Sequence, residues 1–248
     1  MYCWVCDQSV DAFLPYGLPP RPGRCPHCGA KPRHRGLKWF MHEHLAPRLG
    51  TGTSVLEVGA TALALRHLHG PDCLGQAAYT AADIRALPGH ALLSAPHGAV
   101  RSRVEALSFA DQTFDVLLCN NVLVYVADYP RALRELRRCL KPDGLALLDV
   151  HREPGPTVSA AQYRQAHPEL DDEFFAVNGD TWVFGEDYPE RVREAGLLPR
   201  TVHLFDDRDA AFRRENGLKR SSSLLVAARS QAGLDRFLPN AESSNHVR

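Results

Sequence analysis

The sequence has no apolar run approaching the roughly 20 residues that cross a bilayer. It also has no net charge, since 29 Lys and Arg balance 29 Asp and Glu. The first lack sets aside a membrane-spanning chain. The second sets aside a global field drawing the molecule to nucleic acid or to an anionic membrane. The start, Met1-Tyr2-Cys3-Trp4-Val5-Cys6, has neither the basic residues nor the long apolar stretch of a signal peptide. The expected compartment is therefore the cytoplasm. Thiols stay reduced there, so paired cysteines suggest metal before disulfide.

The 248 residues, 44% hydrophobic and 23% charged, suffice for one large α/β domain and a small accessory module. Charge is unevenly placed. Residues 1–48 hold seven Arg and Lys against three acids, so this piece carries +4 and the remainder −4.

Four of the seven cysteines form two pairs, Cys3-x-x-Cys6 and Cys25-x-x-Cys28, separated by 18 residues. That spacing lies in the window for a zinc site. Two residues between cysteines let a tight turn aim both thiolates at one ion, and two such knuckles complete a tetrahedron. The expected metal ligands are Cys3, Cys6, Cys25 and Cys28, holding a structural Zn²⁺ with no position open to substrate. His27 and His34 are spare ligands that four thiols make unnecessary. Cys73, Cys119 and Cys139 read as small buried hydrophobes. The run Lys31-Pro32-Arg33-His34-Arg35-Gly36-Leu37-Lys38-Trp39 is either a phosphate- or RNA-contacting surface or a solvated turn entering a helix. Leu37, Phe40, Met41 and Leu45 then follow helical spacing until Pro47.

From Thr53 strands alternate with helices, the mark of a parallel sheet. Strands are expected at Ser54–Gly59, Tyr79–Asp83, Thr113–Leu118, Leu145–Val150, Thr201–Phe205 and Ser223–Ala228. Helices are expected at Ala62–His69, from Pro130 to Leu140, where Lys141-Pro142-Asp143-Gly144 stops it, and at Tyr188–Ala195. The expected division is a zinc-ribbon module at 1–36, a connecting helix at 37–52, the α/β domain at 53–229 and a frayed polar tail at 230–248.

Several of these blocks carry a resemblance. Val55-Leu56-Glu57-Val58-Gly59, Ala82-Asp83, the stretch Phe109–Leu123 and above all Leu133-Arg134-Glu135-Leu136-Arg137-Arg138-Cys139-Leu140-Lys141-Pro142-Asp143-Gly144 resemble the type 11 class I S-adenosylmethionine-dependent methyltransferases, over about residues 53–228. With the cysteine module in front, the chain is similar to members that carry an N-terminal zinc ribbon. The resemblance implies a Rossmann-like α/β fold with a seven-stranded sheet and helices on both faces. It implies S-adenosylmethionine at the carboxyl ends of the first strands, where open α/β sheets bind ligands. Asp83 would accept hydrogen bonds from the ribose hydroxyls, with Ile84 beside it. Glu57 would anchor the Gly59-Ala60 turn. Asn120 and Asn121 would face the methionine or the substrate.

The sequence departs from that family in two places. The usual ExGxGxG loop is Glu57-Val58-Gly59-Ala60-Thr61-Ala62-Leu63, where Thr61 and Leu63 stand to crowd the cofactor. The acid that would hold the adenine amino group is replaced by Arg103, leaving Glu105 as a substitute. His151, right after the strand Leu145–Val150, and Tyr125 are candidate bases. Tyr163, His167, Trp182 and Tyr188 form either a substrate lid or aromatic packing. The expected activity is methylation of a small molecule. The alternatives are an RNA methyltransferase docking through the basic zinc module, and a non-catalytic binding protein on this fold.

Overall fold

The computed structural model describes residues 1–17, 20–68, 70–84, 99–170, 181–218 and 222–238. The N-terminal segment makes two small antiparallel ribbons, β1 (Tyr2–Cys3) with β2 (Gln8–Ser9) and β3 (Leu14–Tyr16) with β4 (Arg21–Arg24). A helix follows at Pro32–Phe40, with Pro32 at its first position, where a missing N–H does no harm. The helical run continues as a π turn, Met41–Leu45, and a 3-10 turn, Ala46–Arg48, that contains Pro47.

The central sheet is built from β5 (Ser54–Val58), β6 (Ala78–Asp83), β7 (Ala99–Arg101), β8 (Phe114–Leu118) and β9 (Leu140–Leu147), all parallel. Two more strands complete it, β12 (Leu198–His203) and β13 (Ser223–Ala228). A further two-stranded ribbon pairs β10 (Val158–Ser159) with β11 (Trp182–Val183). The sheet order is β12-β13-β9-β8-β5-β6-β7, and β13 runs antiparallel to both neighbours. The expected seven-stranded sheet is present. Its third strand, Ala99–Arg101, is too short to show a periodicity in the sequence.

Each face of the sheet carries its own core. Val55, Tyr79, Leu118, Leu147 and Val226 pack with Phe40, Met41, Leu45 and the cysteine ribbons on one side. Leu56, Leu117, Ala146 and Leu225 pack on the other with Leu133, Leu136 and Val192. The helix Tyr129–Cys139 serves the second face. Asp128 accepts its Arg131 amide, and Tyr129, Ala132, Leu133, Leu136 and Cys139 are buried. Cys73, Cys119 and Cys139 are all buried, as expected.

Three expectations need correction. The Lys141-Pro142-Asp143-Gly144 segment does not separate helix from strand, because β9 begins at Leu140 and absorbs it across a register shift. The first helix ends at His67, and residue 69 lies outside the described residues. The stretch from Ser230 is not a frayed tail. Ser230 caps a helix at Gln231–Phe237 that buries Gly233, Leu234 and Phe237, an apolar face hidden among polar neighbours. Residues 239–248 lie outside the described residues. Among the described residues no helix is long and apolar enough to cross a membrane.

Candidate functional site

The register of the parallel strands assembles the candidate site. Glu57 pairs with Ala81 on one side and Leu118 on the other, and Leu118 pairs with Leu147. Two residues further along, Asp83, Gly59, Asn120 and Asp149 stand side by side at the carboxyl ends of β6, β5, β8 and β9. Hydrogen bonds hold that row. The Gly59 amide donates to the Ala82 carbonyl at 2.8 Å, and the Asn121 amide donates to the Asp149 carbonyl at 2.7 Å. Three strand spacings of ~4.8 Å make a row about 14 Å long. Because side chains alternate along a strand, Asp83, Asn120 and Asp149 continue the face that carries the cysteine ribbons.

Glu57 is buried and accepts the Tyr79 hydroxyl at 2.8 Å, so the turn after β5 rests on a fixed carboxylate. Gly59 has φ +73°, and a Cβ there would come within 2.5 Å of Val122 Cγ2. The one glycine kept from the family loop is thus the one the backbone requires. Ala60 is buried. Asp83 is 4% exposed, while Ile84 next to it is 56% exposed, an apolar side chain left in solvent beside an acid. Asn121 takes φ +56°, which Asn tolerates better than most residues. The Asn120 amide is buried at both its nitrogen and its oxygen, with no hydrogen-bond partner among the described residues. Such a group costs about 1–3 kcal/mol unless something polar meets it.

The two side chains expected to crowd this row, Thr61 and Leu63, are engaged elsewhere. Thr61 turns its hydroxyl back to the Ala64 amide and caps the helix Ala62–His67. Leu63 packs against the core on the cysteine side and lines a hollow with Cys6, His27, Cys28, Arg66 and His67. Arg103 is exposed and lies 3.6 Å from Glu105, whose own side chain is largely covered.

Of the candidate bases, His151 is exposed and its Nε2 lies 2.9 Å from Glu153. Tyr125 is 46% exposed at the end of a 3-10 turn, Leu123–Tyr125, that follows β8. The aromatic segment divides. Trp182 donates to the Val126 and Ala127 carbonyls and packs on Tyr129, and Tyr188 is fully buried and donates to the Leu148 carbonyl. Those two belong to the core and not to a lid. Tyr163 and His167 stack on each other beside the more exposed helix Ala160–Ala166, and residues 171–180 lie outside the described residues.

Asp149 is the site residue that sequence reasoning missed. Its signal was an acid breaking an apolar strand at its carboxyl end, the same signal that singled out Asp83. Burial pushes its carboxyl up to about 6, against the Leu225 amide and the charges of Arg152, Arg33 and His151. Asp115, by contrast, sits at the opposite end of the sheet. Burial would raise it, but Lys141 at 2.7 Å and the Ser54 amide hold it below the ordinary carboxylate range. Its task is structural.

Cys3, Cys6, Cys25 and Cys28 bring four sulfur atoms within 4.8 Å of one another, with Cys3–Cys28 at 3.9 Å and Cys6–Cys25 at 3.8 Å. Sulfurs bound tetrahedrally at about 2.3 Å from one ion stand about 3.8 Å apart. His34 is not among them. Its Nδ1 accepts the Lys31 amide, and burial with Arg33, Lys31 and Arg35 nearby drives the ring down to about 3, which keeps it neutral. Arg35 is fully buried and donates to the carbonyls of Ala30, Gly23 and Gly217.

A strand order with one antiparallel insertion, and an acid and a glycine turn at the ends of its first strands, can now be set against known proteins. Residues 56–148 match the methyltransferase-domain family model. The fold is the methyltransferase fold. The Burkholderia thailandensis 1,6-didemethyltoxoflavin-N1-methyltransferase, solved with 1,6-didemethyltoxoflavin and S-adenosylhomocysteine, is 21% identical at a TM-score of 0.51, over 79% of this chain and 76% of its own. A chain from the Haloferax volcanii complex that contains the Trm112 methyltransferase activator is 20% identical at a TM-score of 0.54, over 80% of this chain and 91% of its own. No curated protein matches significantly.

Proposed function

We propose that the protein is an S-adenosylmethionine-dependent methyltransferase acting on a small molecule, with a structural zinc ion in its four-thiol cluster. The observation that carries the cofactor reading is the row Asp83–Gly59–Asn120, with a buried acid at one end and at the other a buried amide that has no partner among the described residues. Asp83 would accept the ribose hydroxyls. Glu57 would hold the Gly59-Ala60 turn against the cofactor, and Ile84 would cover the adenine with Glu105 nearby. Asn120 and Asn121 would receive the methionine portion. When bound, the cofactor supplies an electrophilic methyl group. The chain's part is to align a nucleophile with it and keep water away.

The small-molecule reading draws support from the basic run. A nucleic-acid docking surface needs cations free to meet phosphates. Arg35 is internal, His34 is neutral and Lys31 lies 4.9 Å over the Tyr16 ring. Lys38 pairs with Asp72 at 3.3 Å, which leaves Arg33 and Lys31 of the run, with Arg24 nearby, a small set of cations for an RNA clamp. The thiol spacing fits a tetrahedral ion, and four thiolates leave it no open coordination position, so its role would be structural.

Calorimetry with S-adenosylhomocysteine tests the cofactor reading. The wild-type chain should bind, and Asp83→Ala should weaken binding by about 1–3 kcal/mol. A wild-type chain that takes up no ligand would leave only the non-catalytic alternative.

A further inference from the structure

We propose that Asp149 is the acceptor-facing residue of this site; the acceptor is then a nitrogen or oxygen nucleophile that still carries a hydrogen. The proposal rests on the cofactor reading above. Its basis is placement. Asp83, Gly59 and Asn120 occupy three consecutive strand ends, and Asp149 occupies the fourth. A ligand whose ribose end meets Asp83 and whose methionine end meets Asn120 has the Asp149 carboxyl next along the row.

The carboxyl is held for such work. One of its oxygens, Oδ1, accepts the Leu225 amide at 3.1 Å, and its own carbonyl accepts the Asn121 amide. The side chain is therefore fixed at Oδ1 to β13, and the backbone beside it to the turn after β8, with Oδ2 left for a ligand. The charged and titratable groups around it come from several elements. Arg152 and His151 follow it in the chain, Tyr188 lies on the helix Tyr188–Glu194, and Arg33 lies at the start of the helix Pro32–Phe40. Arg152 also lines a hollow of about 420 Å³ with Glu153, Pro154 and Glu186. A hydrogen on the acceptor's nitrogen or oxygen would be received at Oδ2, and its proton would rest there as the nucleophile reacts.

Sinefungin, which carries an ammonium group where the methyl would be transferred, probes this position without knowledge of the acceptor. Its affinity relative to S-adenosylhomocysteine should be measured by calorimetry between pH 5 and 8. In wild type the preference for sinefungin should grow as pH rises through the titration of Asp149, because the carboxyl gains charge while the ammonium keeps its own. Asp149→Asn keeps an oxygen for the Leu225 amide. It should lose about tenfold of that preference. Equal preference in wild type and Asp149→Asn, with both ligands bound, would overturn the proposal and leave the cofactor reading standing. Failure of wild type to bind either ligand would overturn both.

Discussion

Single residues carry strain and charge that the sequence hides. Gly59 combines a left-handed backbone with a neighbour 2.5 Å from where a Cβ would sit. Gly59→Ala should therefore destabilise the fold by about 1–3 kcal/mol, measured by denaturant unfolding. Adding Val122→Ala should recover the steric part and leave the backbone part. An unchanged midpoint in the single variant would mean that the turn relaxes freely. Asn120 is the counterpart in polarity, a buried amide with nothing to bond among the described residues. Native chains keep such groups where a ligand meets them.

At the scale of elements, the parallel strands were legible because they read as apolar runs closed by an acid or a glycine. The resemblance marked Glu57, Gly59 and Asp83, and the register puts Asp83 and Gly59 side by side. Short or interrupted elements escaped. Ala99–Arg101 has too few residues for a pattern, and Pro142 inside β9 imitates a stop. The helix Gln231–Phe237 hid its apolar face among polar residues and was read as a tail. The lid reading failed at Trp182 and Tyr188 because aromatic content alone does not say which way a ring points. The four-cysteine cluster was legible from spacing alone. Chelation of the proposed zinc should open the ribbons β1–β4 first, because they are too small to fold without a staple. Limited proteolysis should then cut within residues 1–31. Unchanged resistance after metal removal, checked by elemental analysis, would rule out a structural ion.

At the scale of the molecule, the N-terminal module is not an appendage. Arg35 ties Gly23 and Ala30 to Gly217 across 182 positions of sequence, and Gly36 lies against Leu204, where a Cβ would come within 2.9 Å of Leu204 Cδ1. Trp4 stacks near Phe205 and Phe212. The module and the sheet share one core. Metal loss should therefore lower the melting temperature of the whole chain by at least about 5 °C, since each 1 kcal/mol is worth about 2–4 °C at this size. A separate early transition with the main one unmoved would show the two parts to be independent.

The central claim is that four parallel strand ends form one cradle, running from a ribose-binding acid to an acceptor-facing acid. A crystal structure with S-adenosylhomocysteine tests it most directly. The account predicts ribose hydroxyls on Asp83, the homocysteine end at Asn120 and the thioether sulfur turned toward Asp149. A ligand seated elsewhere, or a thioether turned away from Asp149 with Asn120 still unpartnered, would contradict it.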